Sequence, residues 1–274
     1  MKNEKPILFS TDMVQAILAG RKTQTRRVVN PQPADHHWEM FNSAEYPNGR
    51  KYTHHLNLVE CDRGQFLHSW HSLGDHIDSS EECNQRILCP YGKPGDLLYV
   101  RETWKPTGWS MDGSDWNIAY KAGGSNMIVP HMFDDGDNQK EQDFWMKLSD
   151  QLDDAGCPFD EDTFMYQNVG EYLPWKPSIH MPKNASRIWL RVKDVRVERL
   201  QQISEQDAVA EGIEVDEMNH VVRNNDVNWG GAVGEFANLW DSINADRGFS
   251  WESNPWVWAV EFETISTRGK TEAL

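Results

Sequence analysis

Clear periodicity of apolar residues is confined to four stretches, about 6–30, 89–105, 174–213 and 232–266, and two long stretches, about 31–88 and 106–173, interrupt them. A chain divided in this way builds its core from short elements far apart in sequence. In the first stretch, Ile7-Leu8-Phe9 reads as a strand. Ser10 or Thr11 can cap a following helix, with Asp12 in its first turn, and Met13, Val14, Ile17 and Leu18 recur at helical spacing until Gly20. Thr25 to Val29 reads as extended. A Pro/Gly-rich turn over 89–96 leads into a strand from Leu97 to Trp104, with Leu98, Val100 and Glu102 on one face and Leu97, Tyr99 and Arg101 on the other. Ile188, Leu190 and Val192 alternate with Trp189, Arg191 and Lys193 in a further strand that runs on through Val195 and Val197. Ser204-Glu205-Gln206-Asp207 resembles a capping box and opens a short helix that ends at Glu211, before Gly212. Residues 214–231 read as a loop. A helix then carries Phe236, Leu239, Trp240 and Ile243 on one face, and Trp256 to Ile265 alternates as a strand with one buried face. Short strands with scattered short helices predict an α+β domain over 1–274, with a sheet able to close into a small barrel.

The interruptions differ in kind. Residues 31–88 hold two early prolines, seven histidines and no periodicity, which predicts a loop-rich insertion. Residues 106–173 read as a solvated, partly helical excursion. Between Asp134 and Glu171 there are twelve acidic residues against two lysines, so much of the net charge of −16 sits in this second insertion. That charge argues against binding of bulk DNA, because cations on such a chain must be focused to hold a phosphate backbone. An apolar content of 38% with 13 Trp supports a packed core and argues against global disorder. No run approaches the roughly 20 apolar residues that span a bilayer, and Met1-Lys2-Asn3-Glu4-Lys5-Pro6 leads into no signal-peptide core. A soluble, cytoplasmic protein with no membrane partner is expected.

The segment from Arg21 to Arg27 places four cations and two hydroxyls in seven residues, directly behind a helix stop. A lysine can act as base for a neighbouring hydroxyl when burial or nearby cations lower its pKa, and Arg21, Arg26 and Arg27 are such cations. Spacing does not choose between Thr23 and Thr25. The bland alternative is an exposed basic turn stabilised by the dipole of the preceding helix. Glu211, at a helix end, faces an unfavourable dipole; held near a lysine it is a candidate general acid/base, and otherwise an ordinary surface glutamate. Of the indoles, Trp189, Trp240, Trp256 and Trp258 are periodic and predict core, whereas Trp38, Trp104, Trp109 and Trp175 lie in or beside loops and are candidates for stacking on a base. Cys61, His68, His71, Cys83 and Cys89, with His76, are a weak zinc set, since only His68/His71 and Cys83/Cys89 are close in sequence and no C-x-x-C occurs. There is no P-loop, G-x-G-x-x-G, H-E-x-x-H or G-x-S-x-G.

The stretch Ile17-Leu18-Ala19-Gly20-Arg21-Lys22-Thr23-Gln24-Thr25-Arg26-Arg27 resembles the opening signature of the ASCH domain family, a branch of the PUA-like superfamily. Pro94 to Glu102, Ile203 to Ile213 and the closing strand near Trp256 to Phe262 fit the same family in the same order. Lys176-Pro177-Ser178-Ile179-His180-Met181-Pro182 is similar to the long form found in phages and prophages. The matched segments cover roughly half of the chain. The resemblance implies a small mixed β-barrel with flanking short helices, two large insertions, and a cleft for a modified nucleoside or short RNA. Small bacterial members sharing G-R-K-T-x-T are N(4)-acetylcytidine amidohydrolases, which implies Lys22, Thr25 and Glu211 as catalytic residues. Arg21, Thr23, Arg26, Arg27, Arg101, Glu102 and Trp104 are then the expected substrate contacts, with neither a metal nor a cofactor required. The same cleft could serve a non-catalytic module that binds RNA or a modified base. A third reading is an interaction protein whose acidic insertion mimics nucleic-acid charge.

Overall fold

The computed structural model describes residues 3–32, 54–61, 64–71, 86–111, 113–133, 138–215, 221–223, 226–228 and 231–270. In chain order its elements are β1 (Glu4–Leu8), α1 (Thr11–Leu18), β2 (Gln24–Val28), β3 (His54–Cys61), β4 (Gly64–His71), β5 (Arg86–Leu88), β6 (Leu97–Arg101), β7 (Trp104–Trp109), β8 (Asp115–Tyr120), β9 (Met127–Pro130), α2 (Asn138–Asp154), β10 (Phe159–Asp160), β11 (Met165–Tyr166), α3 (Val169–Tyr172), β12 (Trp189–Arg199), α4 (Glu205–Ala210), β13 (Val221–Arg223), β14 (Asp226–Asn228), α5 (Ala232–Asn244) and β15 (Trp256–Ser266). The fold is mixed α+β with several sheets, and among the described residues no sheet closes into a barrel. No helix among them is long and apolar enough to cross a membrane.

Two compact units emerge. The first comprises Met1–Gly20, Leu97–Arg191 and Glu263–Leu274. Here β1 pairs in parallel with β6, and β6 pairs antiparallel with the start of β12. The Ser10 side chain caps α1 by accepting from the Met13 N–H at 3.4 Å, and Gly20, at φ +74°, ends the helix in a conformation that a side chain would strain. A second sheet, β7-β8-β9, lies within the stretch expected to be a solvated excursion. That expectation is corrected: Trp104, Trp109, Trp116, Ile118, Val129, Met132, Leu148 and Leu152 form a buried cluster. Each such side chain contributes about 1.5–3 kcal/mol when removed from water. The acidic residues of α2 obscure an apolar stripe at Phe144, Leu148 and Leu152, spaced one helical turn apart. Pro106 is tolerated in β7 because the pairing with β8 shifts register between Pro106 and Gly108.

The second unit comprises Arg21–Asp96 and Val192–Phe262. Its sheet runs β12-β15-β2, with β2 antiparallel to β15 and Thr25 opposite Val260. The sequence predicts one buried face for β15, yet Val257, Trp258, Ala259 and Val260 are all buried, so both faces are covered over those residues. On α5 the buried stripe is Ala232, Phe236, Trp240 and Asn244, while Leu239 and Ile243 are exposed, so the apolar face is rotated from the expected one. Leu200, Ile203, Ala208, Ile213, Phe236, Trp240 and Val257 form the core that seats α4 and α5. The expected loops at 31–88 and 214–231 also contain strands: β3, β4 and β5 form an antiparallel sheet, and β13 pairs with β14.

Candidate functional site

The site forms where the basic segment meets the end of α4. The last carbonyls of a helix lack intrahelical partners and carry its negative pole. Here the Thr23 N–H donates to the Ala210 carbonyl at 2.9 Å, and the Lys22 ammonium donates to the Glu211 carbonyl at 2.7 Å. Gly212, at φ +101°, turns the chain away. Arg21 donates to the Gly212 carbonyl at 3.4 Å and lies 3.6 Å from Glu214. The basic segment therefore caps α4, a helix remote in sequence, rather than α1, the helix it follows.

Lys22 also donates to Glu211 Oε2 at 2.8 Å. Lys22 is 1% exposed and Glu211 5%, so the pair is withdrawn from water. Burial pulls the lysine pKa below its ordinary value and the neighbouring Arg27 and Arg26 push it the same way, while the Glu211 carboxylate opposes them. An amine so placed, bonded to a carboxylate, can accept and pass on a proton.

The other Glu211 oxygen, Oε1, lies 3.3 Å from Arg26 Nη1. Arg26 donates through Nε to Glu198 at 2.8 Å and through Nη1 to Gln24 at 2.7 Å, and its Nη2 lies 3.1 Å from Asp207. Arg196 reinforces the cluster by donating to Glu198 at 2.9 Å and Asp207 at 3.0 Å. Strand alternation explains how these groups meet: Gln24 and Arg26 share one face of β2, and Arg196 and Glu198 share one face of β12. Sequence reasoning missed Gln24, Arg196, Glu198 and Asp207 as site residues. The signal available was same-face charge on two strands, but the pairing of those strands was not visible.

The expected residues separate as follows. Lys22, Arg26 and Glu211 are brought into direct contact. Thr25 is buried on β2. Alternation puts Thr25 and Arg27 on the face opposite Gln24 and Arg26. Arg27 is half-buried; burial lowers its pKa, opposed by Tyr91 and Glu211, so its charge is felt at the pair. The Thr23 side chain is exposed.

Arg101, Glu102 and Trp104 belong to the first unit and are engaged there. Arg101 donates to the Met181 carbonyl at 2.7 Å. Glu102 accepts two hydrogen bonds from Arg187, each 2.9 Å; burial raises its pKa against the pull of that arginine. Trp104 and Trp109, expected as exposed stacking surfaces, are 1% and 7% exposed and belong to the aromatic core, whereas Trp175 is 38% exposed. Their apolar bulk outweighed the loop context that suggested exposure. Trp38, His76 and Cys83 fall outside the described residues, as do the side chains of Cys61, His68 and His71. Among the described residues no cluster of His, Cys, Asp or Glu suits a metal.

No protein-family model, curated protein or solved structure matches this chain.

Proposed function

We propose that the protein hydrolyses the amide of an N-acylated cytosine nucleoside, N(4)-acetylcytidine or a close relative, on an ASCH-type, PUA-like scaffold. The observation that carries this reading is the buried Lys22–Glu211 contact of 2.8 Å, with the lysine pKa drawn down by burial. Thr25 Oγ attacks the amide carbonyl and gives its proton to neutral Lys22. The proton crosses to Glu211 and then to the leaving amine as the C–N bond breaks, which frees cytidine and leaves an acetyl ester on Thr25. Water, with Lys22 again as base, cleaves the ester and releases acetate. Arg27 and Arg21 supply positive charge to the developing oxyanion or to a phosphate. Arg26, already held by carboxylates, is a positioning residue that orients Glu211.

Purified protein should release cytidine and acetate from N(4)-acetylcytidine. Lys22→Ala, Thr25→Ala and Glu211→Gln should each lower kcat by about 10²-fold or more. Activity should climb with pH as Lys22 loses its proton, with a midpoint below the ordinary lysine value. Melting temperatures of the variants separate lost chemistry from lost folding. Equal activity in wild type and all three variants would sink the assignment. A second reading, binding of a modified base without turnover, is favoured by the burial of Thr25, which is only 1% exposed. Binding of acetylcytidine that persists in Thr25→Ala, with no turnover in either protein, would establish it.

A further inference from the structure

A cleft of about 650 Å³ lies in the first unit, lined by Trp104, Phe144, Tyr172, Trp175, Lys176 and His180, with Gln151 and Asp154 also on its wall. It shares no residue with the Lys22–Glu211 cluster. Its volume falls in the range of small-molecule sites, which run from about 300 to 1,000 Å³.

Two hydrogen-bond donors in this lining lack acceptors. Trp104 is 1% exposed, and its Nε1–H finds no partner among the described residues. Other buried indoles of the chain behave differently: Trp116 donates to Glu141, Trp189 to the Ser186 carbonyl and Trp240 to the Phe249 carbonyl. That nitrogen is closed to solvent, so it sits behind the wall of the cleft rather than on its open surface. The second donor is Lys176. Its backbone is tied to Trp104 in both directions, N–H to carbonyl, at 2.8 and 3.2 Å. Its ammonium lies 5.6 Å from the centre of the Phe144 ring and makes no ion pair among the described residues. Burial lowers its pKa with no carboxylate opposing the shift. By contrast Lys105, at 4.7 Å over the outer Trp175 ring, is occupied by the Gly170 and Leu173 carbonyls.

The unpaired group open to the cleft is a cation, Lys176, while the walls are aromatic. Trp104 and Phe144 lie nearly parallel, 23° apart with centroids at 6.2 Å, which leaves Trp175, Tyr172 and His180 to face an entering ring. We infer that this cleft binds a planar aromatic ring bearing one anionic group, a carboxylate or a phosphate. The ring stacks on the aromatic wall, and the acidic oxygens receive the Lys176 ammonium. Asp154 and Gln151 can accept from donors on the ring or on an attached sugar.

Calorimetric titration of the full chain tests this with two pairs of probes: adenosine 5′-monophosphate against adenosine, and indole-3-carboxylate against indole. The anionic member of at least one pair should bind about tenfold or more tightly than its neutral counterpart, since a hydrogen bond to a charged group contributes that much. Which pair responds identifies the acid as phosphate or carboxylate. Lys176→Gln should remove the preference for the anion, and Trp175→Ala should weaken both members of the pair. Lys22→Ala should leave this binding intact, so failure of the hydrolase reading does not touch it. The inference is overturned if neither anion binds, if neutral and anionic members bind alike, or if Lys176→Gln and Trp175→Ala bind as wild type does.

Discussion

Asp207 serves both a helix and an ion cluster. Its Oδ2 accepts from the Ser204 N–H at 3.3 Å, and its carboxylate lies 3.1 Å from Arg26 and 3.0 Å from Arg196. Burial pushes the carboxyl upward, but the Ser204 hydrogen bonds and the two arginines outweigh it and leave the pKa below the ordinary aspartate value. A depressed carboxyl contributes stability that is present above its unfolded pKa and is lost as pH falls through the folded one. Asp207→Asn should therefore be less stable than wild type near neutral pH, with the difference shrinking below about pH 4 as the wild-type group protonates. Urea midpoints across an acid series check this, and a constant difference down to the lowest pH would contradict it. At this scale the sequence was informative where chemistry is local. Lys22 and Glu211 could be singled out from the basic turn and the helix end, but Asp207 read only as half of a capping box. Its second role depends on β2 and β12 bringing arginines to it, which no spacing displays.

The short helix α4 is the element on which the site depends. Six residues cannot hold a helix by backbone hydrogen bonds alone, so its ends must be secured. Ser204 Oγ accepts from the Asp207 N–H at 3.1 Å at one end, and Lys22 and Thr23 cap the other. Ser204→Ala should cost about 1 kcal/mol, read as a shift in the urea midpoint at unchanged slope. If Lys22–Glu211 is the working pair, the same variant should lower activity by more than its stability change predicts, because Glu211 is carried by the frayed end. A variant as stable as wild type would remove the cap from this account. Elements with strong local signals, α1 with its Ser10 cap and Gly20 stop among them, were legible in advance. For β15, alternation announced a strand but could not announce a second covering layer. For β3 and β4 the histidines interrupt the apolar residues, and β5 is only three residues long, so none of them gives a sustained alternation.

Across the whole molecule, negative charge and apolar burial occupy the same stretch of chain. The run from 134 to 171 holds twelve acidic residues, yet α2 within it buries Leu148 and Leu152 against the indoles of β7 and β8. Reading that run by charge alone gave a solvated excursion; its sparse apolar residues, one turn apart, give a packed body. The packing also has an optical consequence. Trp109 and Trp116 sit 5.6 Å apart between ring centres and are tilted by 46°, in van der Waals reach yet neither parallel nor perpendicular. Two indole transition dipoles at that distance and skew couple, and their shared excitation splits into a circular-dichroism couplet of opposite-signed bands. Trp116→Phe should remove the Trp109–Trp116 share of the couplet while the helical signal stays, leaving the coupling of Trp109 to Trp145 at 6.5 Å, so the difference between the two spectra reports the order of the β7–β8 hairpin.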